Sequence, residues 1–253
     1  MSKFKNKVVV ITGGNSGIGF ATAKEFIAQG AKVVITGRSQ TAIDEAVNQL
    51  GSNATGIRSE ATNMADTEAL VEQVKATFGK VDVLFVNAGV FFGEPVGGIT
   101  EKTFDKVMDI NFKGAIFTIE KFIPLLSEGS SVISLSSISA FITFAGTAIY
   151  AASKAALNAY TRTAAIELAP RKIRVNVITP GMVSTGLSSK AGFQDDTLKN
   201  MNTFLESKIP LRRFGQPEEI AKLAAFLASD DASFITGAEY TIDGGSAVNE
   251  PFR

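Results

Sequence analysis

Tyr150 and Lys154 stand four positions apart in a segment with helical character. Positions i and i+4 lie on the same face of an α-helix, so the phenol and the ammonium group are expected side by side. A neighbouring cation favours the phenolate, and the pKa of Tyr150 is therefore expected to fall from about 10 towards the working pH. Such a phenol can give a proton to a substrate oxygen or take one from it. The pair predicts proton-transfer chemistry.

The absence of cysteine and histidine limits the chemistry that the chain can perform. Zinc sites are built mainly from these two side chains, so we expect no metal centre of the zinc dehydrogenase type. Histidine general-base catalysis and disulfides are excluded as well. The 25 basic and 25 acidic residues balance, so no electrostatic field steers nucleic acid or an anionic membrane towards the protein. Proton transfer must use Tyr, Lys, Asp, Glu or Ser side chains.

Short β-branched runs alternate along the chain with longer helical stretches. Strands are expected at residues 7–12, 32–36, 81–87, 131–136 and 174–179, with weaker candidates at 55–59 and 239–242. Helices are expected near residues 18–29, 40–50, 66–78, 101–126 and 148–168. This alternation predicts an α/β fold, a Rossmann-type doubly wound parallel sheet of about seven strands with helices on both faces.

The length of 253 residues suits one large domain with a sizeable core. The sequence contains no linker, repeat or low-complexity tract, so we expect a single domain over residues 1–253. No run of about 18 apolar residues occurs, and we expect a soluble cytoplasmic protein with no membrane partner. The polar segment 184–208 is expected to be either a flap of short helices over a substrate site or an ordinary surface insertion.

A glycine-rich turn follows the first expected strand and precedes the first expected helix. Its glycines let the backbone approach a pyrophosphate, which the positive end of the helix dipole attracts. The alternative is a glycine-rich strand–helix turn without a ligand, but the position after the first strand favours dinucleotide binding. The residues expected to bind the cofactor here are Gly13, Asn15, Ser16, Gly17, Ile18 and Gly19.

The residues after the second expected strand select between the two nicotinamide dinucleotides. A carboxylate there would bind the ribose 2′-hydroxyl of NAD, whereas arginine holds a phosphate by a forked contact. Here Thr36 is followed by Gly37, Arg38 and Ser39, with no carboxylate. We therefore expect Arg38 and Ser39 to bind the 2′-phosphate of NADP(H), with NAD(H) less favoured. The alternative is an ordinary solvated arginine.

Further motifs accompany the tyrosine–lysine pair along nearly the whole chain. They are Thr12-Gly13-x-x-x-Gly17-Ile18-Gly19, Asn87-Ala88-Gly89, Asn111, Ser137, Pro180-Gly181 and Asp243-Gly244-Gly245. Together with Tyr150-x-x-x-Lys154 they resemble the short-chain dehydrogenase/reductase family, in its compact single-domain branch. The resemblance implies an oxidoreductase that moves a hydride between a nicotinamide dinucleotide, expected from Arg38 to be NADP(H), and a carbonyl or alcohol substrate.

The resemblance also implies roles for four residues. Tyr150 would be the general acid/base, and Lys154 would lower its pKa and bind the nicotinamide ribose. Ser137 would hold the substrate oxygen, and Asn111 would position a water that relays protons to Lys154. Each residue has a structural alternative: the pair could lie on a helix surface, Ser137 could satisfy a strand end, and Asn111 could bond to backbone.

The resemblance extends the cofactor site beyond the glycine-rich turn. The adenosine half would lie over Glu60, Ala61, Asn87, Ala88 and Gly89, and the nicotinamide half beside Tyr150, Lys154, Pro180, Gly181, Val183 and Thr185. Three positions depart from the family's pattern. Glu60 is longer than the usual aspartate, Ala61 replaces a larger aliphatic residue, and Val86 replaces an asparagine. The departures concern the adenine pocket and not the reaction.

Apolar side chains follow several expected strand ends, where ligands bind in such folds. They are Phe91, Phe92, Phe141, Ile142, Phe144 and Met182. No basic residue accompanies them in these stretches, so we expect an apolar pocket for an uncharged or hydrophobic ketone or aldehyde. The alternative is that these side chains pack in the core.

The expected helix at 148–168 carries small apolar side chains around much of its circumference. The sheet can bury only one face of it, so another surface is expected to cover the rest. Because similar enzymes pair this helix and the 101–126 helix across subunits, we expect a homo-oligomer, and specifically a tetramer.

Two other functions stay open. A 3-oxoacyl-(acyl carrier protein) reductase would need basic residues near the cleft, for which Lys190, Arg212 and Arg213 are candidates. A non-catalytic NADP-binding sensor would typically lack the tyrosine or the lysine, both of which this chain retains.

Overall fold

The computed structural model describes residues 2–185 and 195–249. Its strands are β1 (Val8–Ile11), β2 (Lys32–Gly37), β3 (Ala54–Arg58), β4 (Val81–Val86), β5 (Leu126–Leu135), β6 (Arg174–Pro180) and β7 (Glu239–Ile242). They form one parallel sheet in the order β3-β2-β1-β4-β5-β6-β7. The predicted parallel sheet is confirmed, and both weaker strand candidates belong to it.

The α-helices of the described residues connect successive strands. They are α1 (Gly17–Ala28), α2 (Gln40–Leu50), α3 (Met64–Phe78), α4 (Glu101–Met108), α5 (Ala115–Phe122), α6 (Ala148–Leu168), α7 (Asp195–Lys208) and α8 (Pro217–Ala228). None of these helices combines the length and the apolarity that a membrane crossing would require. The expected flap falls partly on residues 186–194, which lie outside the described residues, and α7 forms its second half.

The helices differ from the expected ones in two ways. The helix expected at 101–126 is interrupted by a π-helix at Asp109–Gly114, a feature that is frequent at functional sites. Helix α8 was not expected, although Pro217 at its first position and a capping box between Gln216 and Glu219 are helix-start signals.

Helices cover both faces of the sheet, which explains the continuous apolar runs in the strands. Side chains alternate between the faces, so that Val9 and its neighbour Val10 belong to different apolar clusters. Phe26 of α1 packs in the cluster that contains Val9, and Leu70 of α3 and Phe122 of α5 pack in the other. The packed layers fix the carboxyl ends of all seven strands along one edge.

Strand β1 lies between β2 and β4. Successive strands are added on one side of β1 up to β3 and on its other side from β4 onwards, so the strand order reverses at β1. In open α/β sheets, ligands bind outside the carboxyl ends of the strands at such a switch point. The loops after β1, β2 and β4 therefore meet where a dinucleotide is expected, and the loops after β5 and β6 continue the same edge.

Candidate active site

A cavity of about 850 Å³ lies along the carboxyl edge of the sheet. The predicted site residues that line it are Gly13, Asn15, Ser16, Gly17, Ile18, Arg38, Ser39, Glu60, Ala61, Asn87, Ala88, Gly89, Ser137, Tyr150, Lys154, Pro180, Gly181, Val183 and Thr185. Two predicted residues, Gly19 and Asn111, are not part of the lining. The fold thus brings residues from the loops after β1 to β6, together with two residues of α6, to one continuous cleft.

The glycine-rich turn between β1 and α1 is held by side-chain bonds to the loop after β4. The Asn87 side-chain amide donates to the carbonyl oxygens of Thr12 and Gly13, at 2.9 and 3.0 Å. The Thr12 hydroxyl oxygen accepts from the backbone N–H groups of Asn87 and Ala88, both at 3.0 Å. A Cβ at Gly19 would lie 2.3 Å from the Gly13 carbonyl oxygen, so this glycine is required for the close approach behind the cleft.

The end of β2 offers a positive charge without a carboxylate. Arg38 is exposed and lines the cavity, and its guanidinium has no hydrogen-bond or ion-pair partner in the part of the chain that the structure describes. The Ser39 hydroxyl accepts from the backbone N–H of Ala42 at 3.4 Å and so caps α2. A Cβ at Gly37 would lie 2.8 Å from the Asn15 Oδ1 atom, so no side chain fits at Gly37 unless Asn15 moves.

The loop after β3 is positioned by an aspartate that the sequence analysis did not single out. Asp66 of α3 accepts from the backbone N–H of Glu60 at 3.0 Å, and its carboxylate lies 3.6 Å from the Arg58 guanidinium. A Cβ at Gly114 would lie 2.5 Å from the Ala61 carbonyl oxygen. The π-helix that ends at Gly114 therefore packs its backbone directly against the expected adenine loop.

The loop after β6 is fixed from two sides. The Gly181 N–H donates to the Ile242 carbonyl at 3.0 Å, and a Cβ at Gly181 would lie 2.7 Å from the Asp243 Cβ. Val183 forms an isolated parallel bridge with Gly215. This bracing holds the first residues after β6 at the cavity wall.

Lys154 is a buried cation whose side chain reaches the end of β5. It is 4% exposed, and its Nζ donates to the Leu135 carbonyl oxygen at 2.8 Å. Burial lowers the pKa of Lys154 to about 8, because water no longer solvates the ammonium group. A Cβ at Gly89 would lie 3.5 Å from this Nζ, so the lysine also faces the loop after β4.

Tyr150 shares the cleft with Lys154 and Ser137, but its pKa moves opposite to the sequence expectation. Burial raises the pKa of Tyr150 above its ordinary value, and the nearby Ser137 hydroxyl offsets part of this rise. The expected fall is wrong, because burial dominates the pKa of Tyr150, while the Lys154 Nζ lies 6.0 Å from the centre of the tyrosine ring and bonds to the Leu135 carbonyl. The phenol therefore stays protonated at neutral pH.

Asn111 lies in the π-helix and bonds mainly to backbone, which was the structural alternative for this residue. Its Oδ1 accepts from the Val90 N–H at 2.8 Å, and its Nδ2 donates to the Val90 carbonyl at 2.9 Å. The same Nδ2 lies 3.2 Å from the Ser153 hydroxyl. Its side chain thus clamps the loop after β4, and the role in a proton relay stays a prediction.

Of the expected substrate-pocket residues, Phe91 lines the cavity. Its ring meets the Tyr150 ring edge to face, with the centroids 5.1 Å apart and an interplanar angle of 77°. The other five are not among the described residues that line the cavity: Phe92, Phe141, Ile142, Phe144 and Met182. Phe92 packs beneath the Lys106 ammonium at 4.1 Å, and Ile142 is buried. Of the apolar side chains expected to form the substrate pocket, fewer therefore contact the cavity than the sequence indicated.

Three residues that hold the site together by hydrogen bonds were not identified from the sequence. Thr12 stands out in the sequence only as part of a motif. Its hydroxyl, directly before the glycines, is well placed to bind the loop after β4, the neighbouring strand in the sheet. Asp66 could have been found as an acidic residue in the first turn of α3. The Leu135 carbonyl carries no signal in the sequence, because any residue would supply it.

Comparison with known proteins is consistent across sequence and structure. A family model described as enoyl-(acyl carrier protein) reductase matches residues 13–247. The chain is 41% identical over 249 residues to an oxidoreductase, asL5, of Sarocladium schorii, and the match covers 98% of both chains. It is 38% identical over 248 residues to dehydrogenase/reductase SDR family member 4 of Homo sapiens, covering 95% of this chain and 87% of the relative.

A solved structure shares the whole fold. The short-chain dehydrogenase/reductase from Brucella melitensis, named a glucose/ribitol dehydrogenase, superimposes with a TM-score of 0.90 at 34% identity. The superposition covers 96% of this chain and 98% of that one.

Proposed function

The chain belongs to the short-chain dehydrogenase/reductase family, and we propose that it is an NADP(H)-dependent enzyme that reduces a hydrophobic ketone or aldehyde to an alcohol. Enzymes of this family are oxidoreductases that act on CH–OH or C=O groups with a nicotinamide cofactor. The observation that carries the proposal is the meeting of Tyr150, Ser137 and Lys154 with the glycine-rich turn at a single cavity.

The residues of the cleft fit a nicotinamide dinucleotide. The cavity of about 850 Å³ falls in the upper part of the range for ligand sites, about 300–1,000 Å³. Gly13 has a φ of +64°, and a Cβ there would lie 3.0 Å from the Asn87 side chain and 3.2 Å from the Ala88 Cα, so glycine is required for the turn to pack against the loop after β4. The turn leads into the N-terminus of α1, where backbone N–H groups and the helix dipole favour a pyrophosphate.

The reaction follows from the side chains that face the cavity. The cofactor would supply a hydride to the carbonyl carbon. Tyr150 would donate its proton to the carbonyl oxygen, and the Ser137 hydroxyl would hydrogen-bond the same oxygen as negative charge develops on it. One such donor is worth roughly 3–4 kcal/mol when it is removed. Lys154 would bind the nicotinamide ribose, and Asn111 would keep the adjoining loop in place.

The raised pKa of Tyr150 keeps its hydroxyl protonated at neutral pH, as the acid of a carbonyl reduction must be. Carbonyl reduction begins with a protonated phenol, which this pKa maintains at neutral pH. Alcohol oxidation requires the phenolate, and its population should increase as the pH rises. We therefore propose that the reduction rate does not depend on alkaline pH and that the oxidation rate increases towards alkaline pH.

The preference for NADP(H) is supported by the end of β2. Arg38 has no partner in the residues that the structure describes, so its guanidinium is available for a 2′-phosphate. The carboxylate that binds the ribose of NAD would have to stand near Gly37, where a Cβ would come within 2.8 Å of Asn15. Both features act against NAD(H).

An Arg38→Asp variant tests this preference. The ratio of kcat/KM for NADPH to that for NADH should fall by at least about tenfold, because a charge-assisted contact to phosphate is lost and repulsion is added. The matched control is Lys32→Asp, because Lys32 is an exposed cation at the opposite end of the same strand and does not line the cavity, so the ratio should stay at its wild-type value. A wild-type protein that uses NADH better than NADPH at low concentration would contradict the assignment.

The carrier-protein reductase is the second candidate, and the basic residues named for it give it little support. Arg213 donates to both carboxylate oxygens of Glu219, each at 2.7 Å, and Arg212 donates to the Ser207 carbonyl. Lys190 lies outside the described residues. A sugar or polyol substrate, as named for the Brucella melitensis protein, would need polar groups where Phe91 lies.

The experiment that tests the proposed function is a screen of NADPH and NADH oxidation. The carbonyl panel contains aryl and alkyl ketones, aldehydes, an aldose, a 3-oxoacyl thioester and an enoyl thioester. We expect turnover of hydrophobic carbonyls with NADPH, and a loss of roughly 10²–10⁴ in kcat for a Tyr150→Phe variant. Turnover of only the aldose or only the thioesters would assign another substrate class. Tight NADPH binding without any turnover would favour the sensor.

We also propose that the protein assembles as a homo-oligomer through α6. Ala152, Ala155 and Ala159 are exposed along one side of this helix, and Ile166 is 76% exposed near its end. Small side chains allow a second helix to approach closely. Light scattering after size-exclusion chromatography would determine the number of subunits; the tetramer, the single domain and the cytoplasmic location stay predictions from the sequence.

A further inference from the structure

Phe91 contacts Tyr150 with its ring and keeps about half of its surface exposed. The edge-to-face contact with Tyr150 places the two centroids 5.1 Å apart. Phe91 lines the cavity and is nevertheless 52% exposed. A large apolar side chain that contacts the reacting tyrosine, lines the cavity and keeps half of its surface exposed is placed to contact the substituents of a bound carbonyl.

The backbone on both sides of Phe91 is fixed. Directly before it, the Asn111 side chain bonds both the N–H and the carbonyl of Val90, at 2.8 and 2.9 Å. Shortly after it, the Glu94 N–H donates to the Gly146 carbonyl at 2.9 Å, in the segment that leads into α6. The Glu94 carboxylate accepts from the Thr100 N–H at 2.9 Å, at the start of α4. The ring is therefore held against Tyr150 by a braced loop.

The chemistry of this wall is apolar and flat. The Phe91 ring offers no hydrogen-bond donor or acceptor, so a hydroxylated substituent placed against it would lose its bonds to water without replacement. An apolar substituent would gain by leaving water, and an aromatic one could also stack on the ring or meet it edge to face.

We propose that Phe91 is a specificity-determining residue of this site, selecting carbonyl substrates with a flat apolar group beside the carbonyl carbon and rejecting polyhydroxylated ones. The inference rests on the function proposed above, because it assigns the substrate class of the same site. Phe91 acts on substrate choice, and proton transfer stays with Tyr150.

The first test compares acetophenone with 2-butanone in the wild-type protein and in Phe91→Ala. The value of kcat/KM for acetophenone should fall about tenfold, equal to about 1.4 kcal/mol at 25 °C, while the value for 2-butanone stays within about twofold. The matched control is Phe92→Ala, since the Phe92 ring packs beneath Lys106 and does not line the cavity. Its ratio for the two ketones should equal that of the wild type. Because Phe91 is half exposed, the unfolding midpoint should hardly change, which excludes a general loss of structure.

The second test measures binding in the absence of turnover. In a Tyr150→Phe background with NADPH present, the Kd for acetophenone is measured by calorimetric titration, and adding Phe91→Ala should weaken it about tenfold. An unchanged Kd, or an equal loss of kcat/KM for both ketones, would overturn the role of Phe91 in selection. Phe91→Ala could weaken acetophenone binding while the wild-type protein reduces none of the carbonyls tested. That result would support the role of Phe91 in binding and overturn the proposed function instead.

Discussion

Lys154 buries an ammonium group that has no carboxylate partner among residues 2–185 and 195–249, and this makes stability depend on pH. The side chain is 4% exposed and bonds to the Leu135 carbonyl. Burial lowers its pKa from 10.5 to about 8. At about 1.36 kcal/mol for each pKa unit, the folded protein loses about 3 kcal/mol by carrying this charge.

The sign of the effect follows from proton binding. Below pH 8 both the folded and the unfolded chain hold the proton on Lys154, so the loss is present in full. Between pH 8 and pH 10.5 the folded protein has released this proton and the unfolded chain still holds it. The free energy of unfolding contributed by Lys154 therefore rises with pH across this window and is constant above it.

Lys154→Met isolates this contribution, since methionine has a similar length and no ionisable group. Denaturant unfolding of both proteins is measured at pH 7, 8, 9 and 10. The free energy of unfolding of the wild type minus that of the variant should increase by about 2–3 kcal/mol between pH 7 and pH 10. In this difference the contributions of the other titrating groups to the free energy of unfolding cancel. The loss of the hydrogen bond to Leu135 shifts the difference by the same amount at every pH and does not change its slope.

A difference that stays constant over this range would refute the reasoning, because it would mean that Lys154 keeps its ordinary pKa in the folded protein. A difference that decreases would mean that its pKa is raised, as expected for a lysine with an acidic partner. The variant should also be inactive at every pH, since Lys154 is proposed to bind the cofactor ribose.

Two further substitutions test the turn that forms the cofactor cleft. Thr12→Val removes the acceptor of the Asn87 and Ala88 N–H groups, and the free energy of unfolding should fall by about 2–4 kcal/mol in denaturant titrations; a loss below about 0.5 kcal/mol would show that water replaces the hydroxyl. Gly19→Ala forces a Cβ to within 2.3 Å of the Gly13 carbonyl, so NADPH binding measured by calorimetry should weaken at least about tenfold, and an unaltered Kd would contradict the assigned geometry.

The sequence predicted those elements whose pattern is local. Helices α2 and α6 and strand β7 begin and end at the expected residues, because apolar periodicity and propensity decide them. The break within 101–126 could not be read in this way. It coincides with the bonds between Asn111 and Val90, a contact between distant parts of the chain.

Strand β5 shows the same limit. It begins at Leu126 rather than at residue 131, and its pairing with β4 shifts register between Val81 and Val83. The polar residues at the start of β5 disfavour a strand by composition, and only the neighbouring strand β4 determines that they pair.

The sequence predicted which residues lie at the candidate site better than it predicted their pKa values. The spacing of Tyr150 and Lys154 indicated that both face one site, and both line the cavity. The direction of the tyrosine pKa was wrong because spacing carries no information about burial or about the Leu135 carbonyl that binds the lysine. Similarly, Phe91 and Phe92 are neighbours of the same type, and only the fold turns one to the cavity and the other to Lys106.

The central claim is that the Tyr150 hydroxyl transfers the proton, and Tyr150→Phe tests it most directly because it removes that hydroxyl and keeps the ring beside Phe91. With saturating NADPH and a carbonyl substrate, kcat should fall by roughly 10²–10⁴, the usual contribution of a general acid. The Kd for NADPH, measured by calorimetry, should change by less than about twofold, because the cleft stays intact. A variant that retains kcat while binding NADPH normally would contradict the account.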